Sequence, residues 1–272
     1  MTTPPDTRSK VATTYNATAD SYDDPANTFW ERFGRRTIER LRLRPGLRVL
    51  DVCCGSGASA LPAAEAIGPD GHVLGVDLAE NLLALARAKA SARGLRNVEF
   101  RTGDLLALEE TPFDAVVCVF GIFFVPDMAV AARALWKLVR PGGVLAVTTW
   151  GPRFLEPAST AFWDAVRAVR PDLHRGFNPW DRISEPDAVR ALLAQAGAQE
   201  IEVTAEAGLH PIPTPEAWWA AVLGTGYRGT VDQLDAAARE HVRAANAAYV
   251  LQSGLAEVEA NVVYARATKA RP

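Results

Sequence analysis

The chain has 272 residues, of which 49% are hydrophobic, enough to bury a substantial core. Its formal net charge is -3, so the basic footprint of a nucleic-acid binder is missing. Three cysteines, Cys53, Cys54 and Cys118, make neither a disulfide framework nor a paired zinc spacing, which points to a reduced, cytoplasmic setting without a metal. Residues 1–14 are polar, lack the apolar stretch of a signal peptide, and read as a flexible N-terminus. No run approaches the roughly 18 apolar residues of a membrane span.

In chain order, "YNATADSY" (15–22) reads as a short amphipathic helix with Tyr15 and Tyr22 on it. Helical spacing over 28–43 is closed by Pro45-Gly46. Strands and helices then alternate. The strands are 47–53, 72–77, 97–104, 113–121 and 142–150, and the helices between them are 58–67, 79–94 and 128–139. This alternation predicts an α/β fold with a parallel sheet covered on both faces. After Trp150 the pattern changes to a proline- and aromatic-rich stretch, 151–182. A helix follows at 184–197, with a capping-box-like start from Ser184 to Asp187. A strand at 199–207, mostly helical sequence over 214–253 and a last strand at 261–269 complete the chain. The long helical connection before the last strand reads as a lid insertion.

The chemistry concentrates in "VLDVCCGSG" (49–57). Gly55-Ser56-Gly57-Ala58-Ser59-Ala60 matches the G-x-G-x-x-G/A turn between a strand and a helix. Asp77, at the end of the second strand, is placed to bond ribose hydroxyls. Asp51 argues against a dinucleotide, because an acid in the first strand adds nothing useful beside a diphosphate. S-adenosylmethionine instead has no phosphate and carries a positive ammonium and sulfonium, which a carboxylate favours. Asp104 in "TGDL" (102–105) can accept from an adenine amino group, with the Leu105 backbone beside a ring nitrogen. The three acids thus follow the first three strands in a row along the carboxyl edge of the sheet.

On "VLDVCCGSG", "VLGVDLAENLLALAR", "FRTGDL", "FDAVVCVFGIFFVPD" and "LVRPGGVLAVTTW", the chain resembles the class I S-adenosylmethionine-dependent methyltransferases. The small-molecule enzymes of the ubiquinone/menaquinone-biosynthesis and natural-product type are the most similar. The resemblance covers about 15–150 and the last two strands. It implies a Rossmann-like seven-stranded sheet, mostly parallel, with the last strand antiparallel and inserted beside the strand before it. It further implies one methyltransferase domain over 15–272. The core would be about 44–150, 184–207 and 261–270, and the substrate and lid segments about 15–43, 151–182 and 208–255. The cofactor-site residues implied are Tyr15, Tyr22, Asp51, Cys54, Gly55, Gly57, Asp77, Leu78, Gly103, Asp104, Leu105 and Phe120. The family often has glycine at position 53 or 54, where this chain has cysteine.

The acceptor side is assigned to Phe123, Phe124, Trp150, Phe177, Trp180 and Trp218, which would wall an apolar pocket for a small-molecule methyl acceptor. A general base, if one is used, is sought in His174, His210 or Asp181. "FNPW" (177–180) reads as a loop. The expected activity is methyl transfer by proximity and orientation in an enclosed pocket, by a monomer or homodimer acting on neither nucleic acid nor membrane. The alternatives are a non-methylating reaction on the same fold, such as a cyclisation, and a nicotinamide-dependent oxidoreductase.

Overall fold

A computed structural model describes residues 7–271. The elements run α1 (Thr7–Thr18), α2 (Phe29–Leu41), β1 (Arg48–Val52), α3 (Ala60–Ile67), β2 (His72–Asp77), α4 (Glu80–Ala92), β3 (Val98–Thr102) and β4 (Phe113–Val119). They continue with α5 (Met128–Lys137), β5 (Val139–Trp150), α6 (Ala158–Val169), α7 (Pro186–Gln195), β6 (Ile201–Glu206) and β7 (Leu209–Pro211). The last are α8 (Pro215–Leu223), α9 (Arg228–Val231), α10 (Ala236–Ser253), β8 (Glu257–Glu259) and β9 (Val262–Thr268). Two of the sequence expectations change. Residues 7–14, expected to be mobile, are helical in α1, while 1–6 lie outside the described residues. α1 ends at Thr18, so Tyr15 is on the helix and Tyr22 is on the turn after it.

The strand order is β3-β2-β1-β4-β5-β9-β6, a seven-stranded sheet. β1 to β5 pair in parallel, and β9 runs antiparallel between β5 and β6. This is the Rossmann-like topology expected, including the inserted last strand. Alternation along the central strands sends their side chains into two apolar layers. Leu50, Val52, Val116, Cys118, Leu145 and Val147 join the larger one, and Val49, Val73, Ala115, Val117 and Ala146 join the other. β7 and β8 form a separate two-stranded ladder at the base of the insertion, which was not foreseen. β7 is three residues long, too short for period-two alternation to mark it.

The helix ends show how local chemistry sets boundaries. Asp127 caps α5 by accepting from the N–H groups of Ala129 and Val130. The box expected from Ser184 to Asp187 does not form: Ser184 Oγ donates to the Asp181 carbonyl, and α7 begins at Pro186. A reciprocal box sits one turn earlier instead, between Asn178 and Asp181. "FNPW" therefore leads into a 3-10 turn, Pro179–Ile183, rather than an open loop.

α2 is held close to the glycine turn by Gly34. A Cβ there would lie 2.4 Å from the Ala58 carbonyl oxygen, against backbone that cannot swing aside. Thr37 and Thr148 hydroxyls join α2 to β5 at 2.8 Å. Gly34→Ala is expected to destabilise the protein by about 1–3 kcal/mol through overpacking, lowering the urea midpoint without changing the slope of the transition.

Candidate cofactor and acceptor site

β1 ends in a turn that ordinary residues resist. Cys53 has φ 57°, Gly55 φ 52° and Gly57 φ 86°, all left-handed. The turn is tied to the neighbouring strand by Asp77, whose carboxylate accepts from Gly55 N–H at 2.8 Å and from Ala79 N–H at 2.8 Å. A Cβ on Gly55 would come within 2.9 Å of the Tyr22 hydroxyl, so the backbone and that ring meet directly across the mouth of the turn.

A cleft opens there along the carboxyl edge of β1, β2, β3 and β4. Of the twelve residues expected at the cofactor site, nine line it: Tyr15, Tyr22, Gly55, Asp77, Leu78, Gly103, Asp104, Leu105 and Phe120. Asp51, Cys54 and Gly57 do not. The Asp51 side chain is buried beneath the turn, where Ser59 Oγ donates to it at 2.7 Å and its other oxygen has no partner among the described residues. Cys54 points into the core toward Gly75 and Phe100. Gly57 is turned toward Leu61 and Ala86, where its lack of a side chain lets α3 and α4 approach. Cys53, one residue before Cys54, lines the cleft in its place. The left-handed backbone at Cys53 is what reverses the strand alternation there, and sequence periodicity does not report it.

Trp30 also lines the cleft, stacked on Tyr22 with ring centroids 4.9 Å apart. Its buried indole N–H has no hydrogen-bond partner among the described residues. The sequence marked the helix carrying Trp30 without singling that residue out, because its neighbours Phe29 and Phe33 share the apolar spacing. α1 covers the cleft. Arg8 pairs with Asp104, and Asn16 accepts from Asn81 N–H at 2.9 Å, docking α1 on the start of α4. The free volume enclosed is only about 70 Å³, so Arg8 and Tyr15 must give way for a nucleoside-sized ligand.

The donor set fits S-adenosylmethionine. The cleft combines two carboxylates for hydroxyl and amino donors, an unpartnered indole N–H for a carboxylate, and ring faces that attract a positive sulfur. The one cation among its described lining residues, Arg8, is held by Asp104.

Tyr15 and Phe124, in edge contact at 5.3 Å, separate this cleft from a second cavity of about 360 Å³. Four of the residues expected around the acceptor line it: Phe123, Phe124, Phe177 and Trp180. Trp163 and Tyr227 join them, from α6 and the turn before α9. Trp150 does not, being sandwiched between Phe120 and Phe154 at 3.6 Å from each. Trp218 is buried in the helical insertion, donating to Asn246 at 2.8 Å. Both tryptophans therefore serve packing, an outcome that composition cannot distinguish from pocket lining.

None of the three base candidates lines either cavity. His210 is buried on β7, donating to the Ala26 carbonyl, and burial pushes its pKa down to about 4. His174 sits in a neighbouring surface cleft against Trp163. Asp181 is engaged in capping, accepting from Asn178 N–H at 2.7 Å.

Residues 49–143 match the family described as a methyltransferase domain. A demethylmenaquinone methyltransferase of Listeria monocytogenes is 38% identical over 117 residues, 42% of this chain and 49% of that one. The match thus spans about half the length of these menaquinone relatives. Nocamycin O-methyltransferase of Saccharothrix syringae is 34% identical over 207 residues, 69% of this chain and 71% of that one. The chain belongs to the S-adenosylmethionine-dependent methyltransferases. The fold of this methyltransferase is shared with Haemonchus contortus phosphoethanolamine N-methyltransferase 2, solved with S-adenosylhomocysteine and phosphomonomethylethanolamine. That match has a TM-score of 0.62 and 17% identity, over 98% of this chain and 61% of that one. The [4+2]-cyclase SpnF shares it too, with a TM-score of 0.61 and 20% identity over 100% and 99% of the two chains.

Two expectations follow for the methyltransferase. Asp77→Ala removes a carboxylate from the cleft together with the anchor of the Gly55 turn. Calorimetry should show S-adenosylhomocysteine binding weakened by about 2 kcal/mol or more, roughly thirty-fold. Burial raises the Asp51 pKa to about 7, opposed by the Ser59 bond. The folded protein therefore holds this proton over about pH 4–7, where the unfolded chain has lost it. The resulting stability is full below about pH 4 and is lost as pH rises through 7. Relative to Asp51→Asn, the ligand-free wild type should lose stability across that window in urea titrations.

Proposed function

We propose that this protein transfers the methyl group of S-adenosylmethionine to a small organic molecule in a biosynthetic pathway. The observation that carries the reading is the pairing of an acid-lined cleft at the sheet edge with an aromatic cavity. The two share Val11, Tyr15, Phe124 and Val125 as a common wall. The cofactor supplies a methyl group made electrophilic by its positive sulfur.

The chain's own residues then bind, orient and exclude water. Asp77 accepts from the ribose hydroxyls, and Asp104, once freed from Arg8, accepts from the adenine amino group. Trp30 offers its free N–H to the carboxylate end, and the Tyr22, Trp30 and Phe120 rings shield the positive centre from water. Leu78 and Leu105, which line the same cleft, would pack against the nucleoside. With Tyr15 moved aside to admit the nucleoside, Phe123, Phe124 and Trp180 would hold the acceptor next to the cofactor cleft, where transfer depends on proximity and orientation.

The aromatic cavity contains no acid and no histidine among its described lining residues. Tyr15, the ionisable group on the shared wall, is held well above its ordinary pKa by burial and then by Asp77, so it stays neutral. Catalysis by orientation, without a protein base, is the mechanism this lining supports. S-adenosylhomocysteine is expected to bind saturably in calorimetry and NAD not at all. Cofactor carrying a deuterated methyl group should label a small molecule in an extract of the source cells, detected by mass spectrometry. Binding of NAD in place of S-adenosylhomocysteine, or label appearing only in protein or nucleic acid, would overturn the reading.

A further inference from the structure

The two sides of the Tyr15–Phe124 wall have opposite electrostatic character. On the cofactor side the cleft presents Asp77 and Asp104. On the acceptor side the charged residues among the described lining are Lys10, Arg175 and Arg182, all exposed at its rim; Lys10 and Arg175 also border a neighbouring cleft with Asp172 and Asp232, of which Asp232 is held by Arg228 at 2.8 Å. This asymmetry runs against the composition of the chain, whose 32 acids outnumber its 29 lysines and arginines.

The nearby acids are occupied elsewhere. Asp181, adjacent to Arg182 in sequence, turns back to accept from Asn178 N–H. Asp172 is held by Arg170 through two bonds of 2.8 and 2.7 Å. Among the described residues, none of the three cavity cations has a carboxylate partner. Arg182 instead lies over the Phe177 ring at 5.6 Å, and Phe177 is 54% exposed at the cavity mouth. A guanidinium beside an open aromatic face suits a flat molecule that carries an oxyanion, since the ring takes the apolar body and the fork takes the charge.

We propose that the acceptor is a flat, largely apolar molecule bearing a carboxylate or a comparably acidic oxygen, held by Arg175 and Arg182 with Lys10 beside them. The proposal rests on the methyltransferase reading for the word acceptor, and it refines an apolar pocket into one selective for organic anions. A volume of about 360 Å³ has room for two or three fused rings. Opposite charges on the two sides of the wall also keep the ligands apart. A cationic cofactor is drawn to the acids and an anionic acceptor to the bases, so neither competes for the other's cavity.

The probes are 2-naphthoate, its neutral methyl ester and 2-naphthylmethylammonium, each titrated with and without saturating S-adenosylhomocysteine. The naphthoate is expected to bind at least ten-fold tighter than the ester, with the ammonium weakest, and added salt should narrow the gap. R175Q/R182Q should lower naphthoate affinity five-fold or more while leaving the ester and S-adenosylhomocysteine unchanged, and R175K/R182K should restore part of the loss. Equal affinity for the three probes, binding of none, or a preference for naphthoate that survives R175Q/R182Q would overturn the proposal. Failure to bind S-adenosylhomocysteine with the naphthoate preference intact would instead strike the methyltransferase reading and leave the anion site standing.

Discussion

The hydrogen bond from Gly55 N–H to the Asp77 carboxylate, at 2.8 Å, is the constraint around which the site is arranged. It joins the turn after β1 to the end of β2, strands already in register from Arg48↔His72 to Val52↔Val76. The carboxylate satisfies backbone donors that would otherwise be stranded at the sheet edge, and it keeps lone pairs for a ligand. Because Gly55 and Cys53 are left-handed, the chain turns sharply enough to leave a cleft rather than a filled strand–helix junction. Lower in the junction, Asp51 holds Ser59 and stabilises the turn from behind.

The wall opposite the turn is aromatic and stiff. Phe120, Trp150 and Phe154 form a continuous stack, and Phe29 and Phe33 meet Trp150 edge-on. Such pairs add stabilisation beyond their burial, about 0.5–1.5 kcal/mol each, and they leave few rotamers free. Two rings at the edge of this cluster, Phe120 and Trp30, also face the cleft. The same packing that stabilises the fold therefore shapes the cofactor side of the site, which explains why Trp150 is central to the protein without lining a cavity.

The cover over the site comes from a distant part of the chain. α1 reaches the sheet edge through Asn16 on Asn81 and Arg8 on Asp104, contacts between polar groups near the surface. Bonds of this kind contribute little net stability and are readily exchanged for water. Their exchange is compatible with admitting a ligand, whereas the buried stack behind them is not built to move. Tyr15 on the same helix belongs to both cavities, so one element bounds the cleft and the aromatic cavity together.

Much of this was legible in the sequence because it is local or periodic. The alternation of buried strands with amphipathic helices set the sheet, and the glycine turn with acids at the end of β2 and after β3 pointed to the edge where the cleft opens, whereas Asp51 within β1 turned out to lie beneath the turn. Family resemblance supplied the antiparallel last strand. What the sequence by itself determined was thus the parallel part of the sheet and the sheet edge on which Asp77 and Asp104 come to line a cleft. Only the tertiary structure decided that Cys53 and not Cys54 faces the cleft, because one left-handed residue inverts the side-chain alternation. It alone removed Trp150, Trp218 and His210 from the site, since a buried aromatic and a pocket aromatic have the same local spacing. It alone brought Lys10, Arg175 and Arg182, from segments more than 160 residues apart, around a single cavity. Charge that accumulates by folding leaves no run or period in the chain, so its sign at the acceptor side could be read only after the chain had closed on itself.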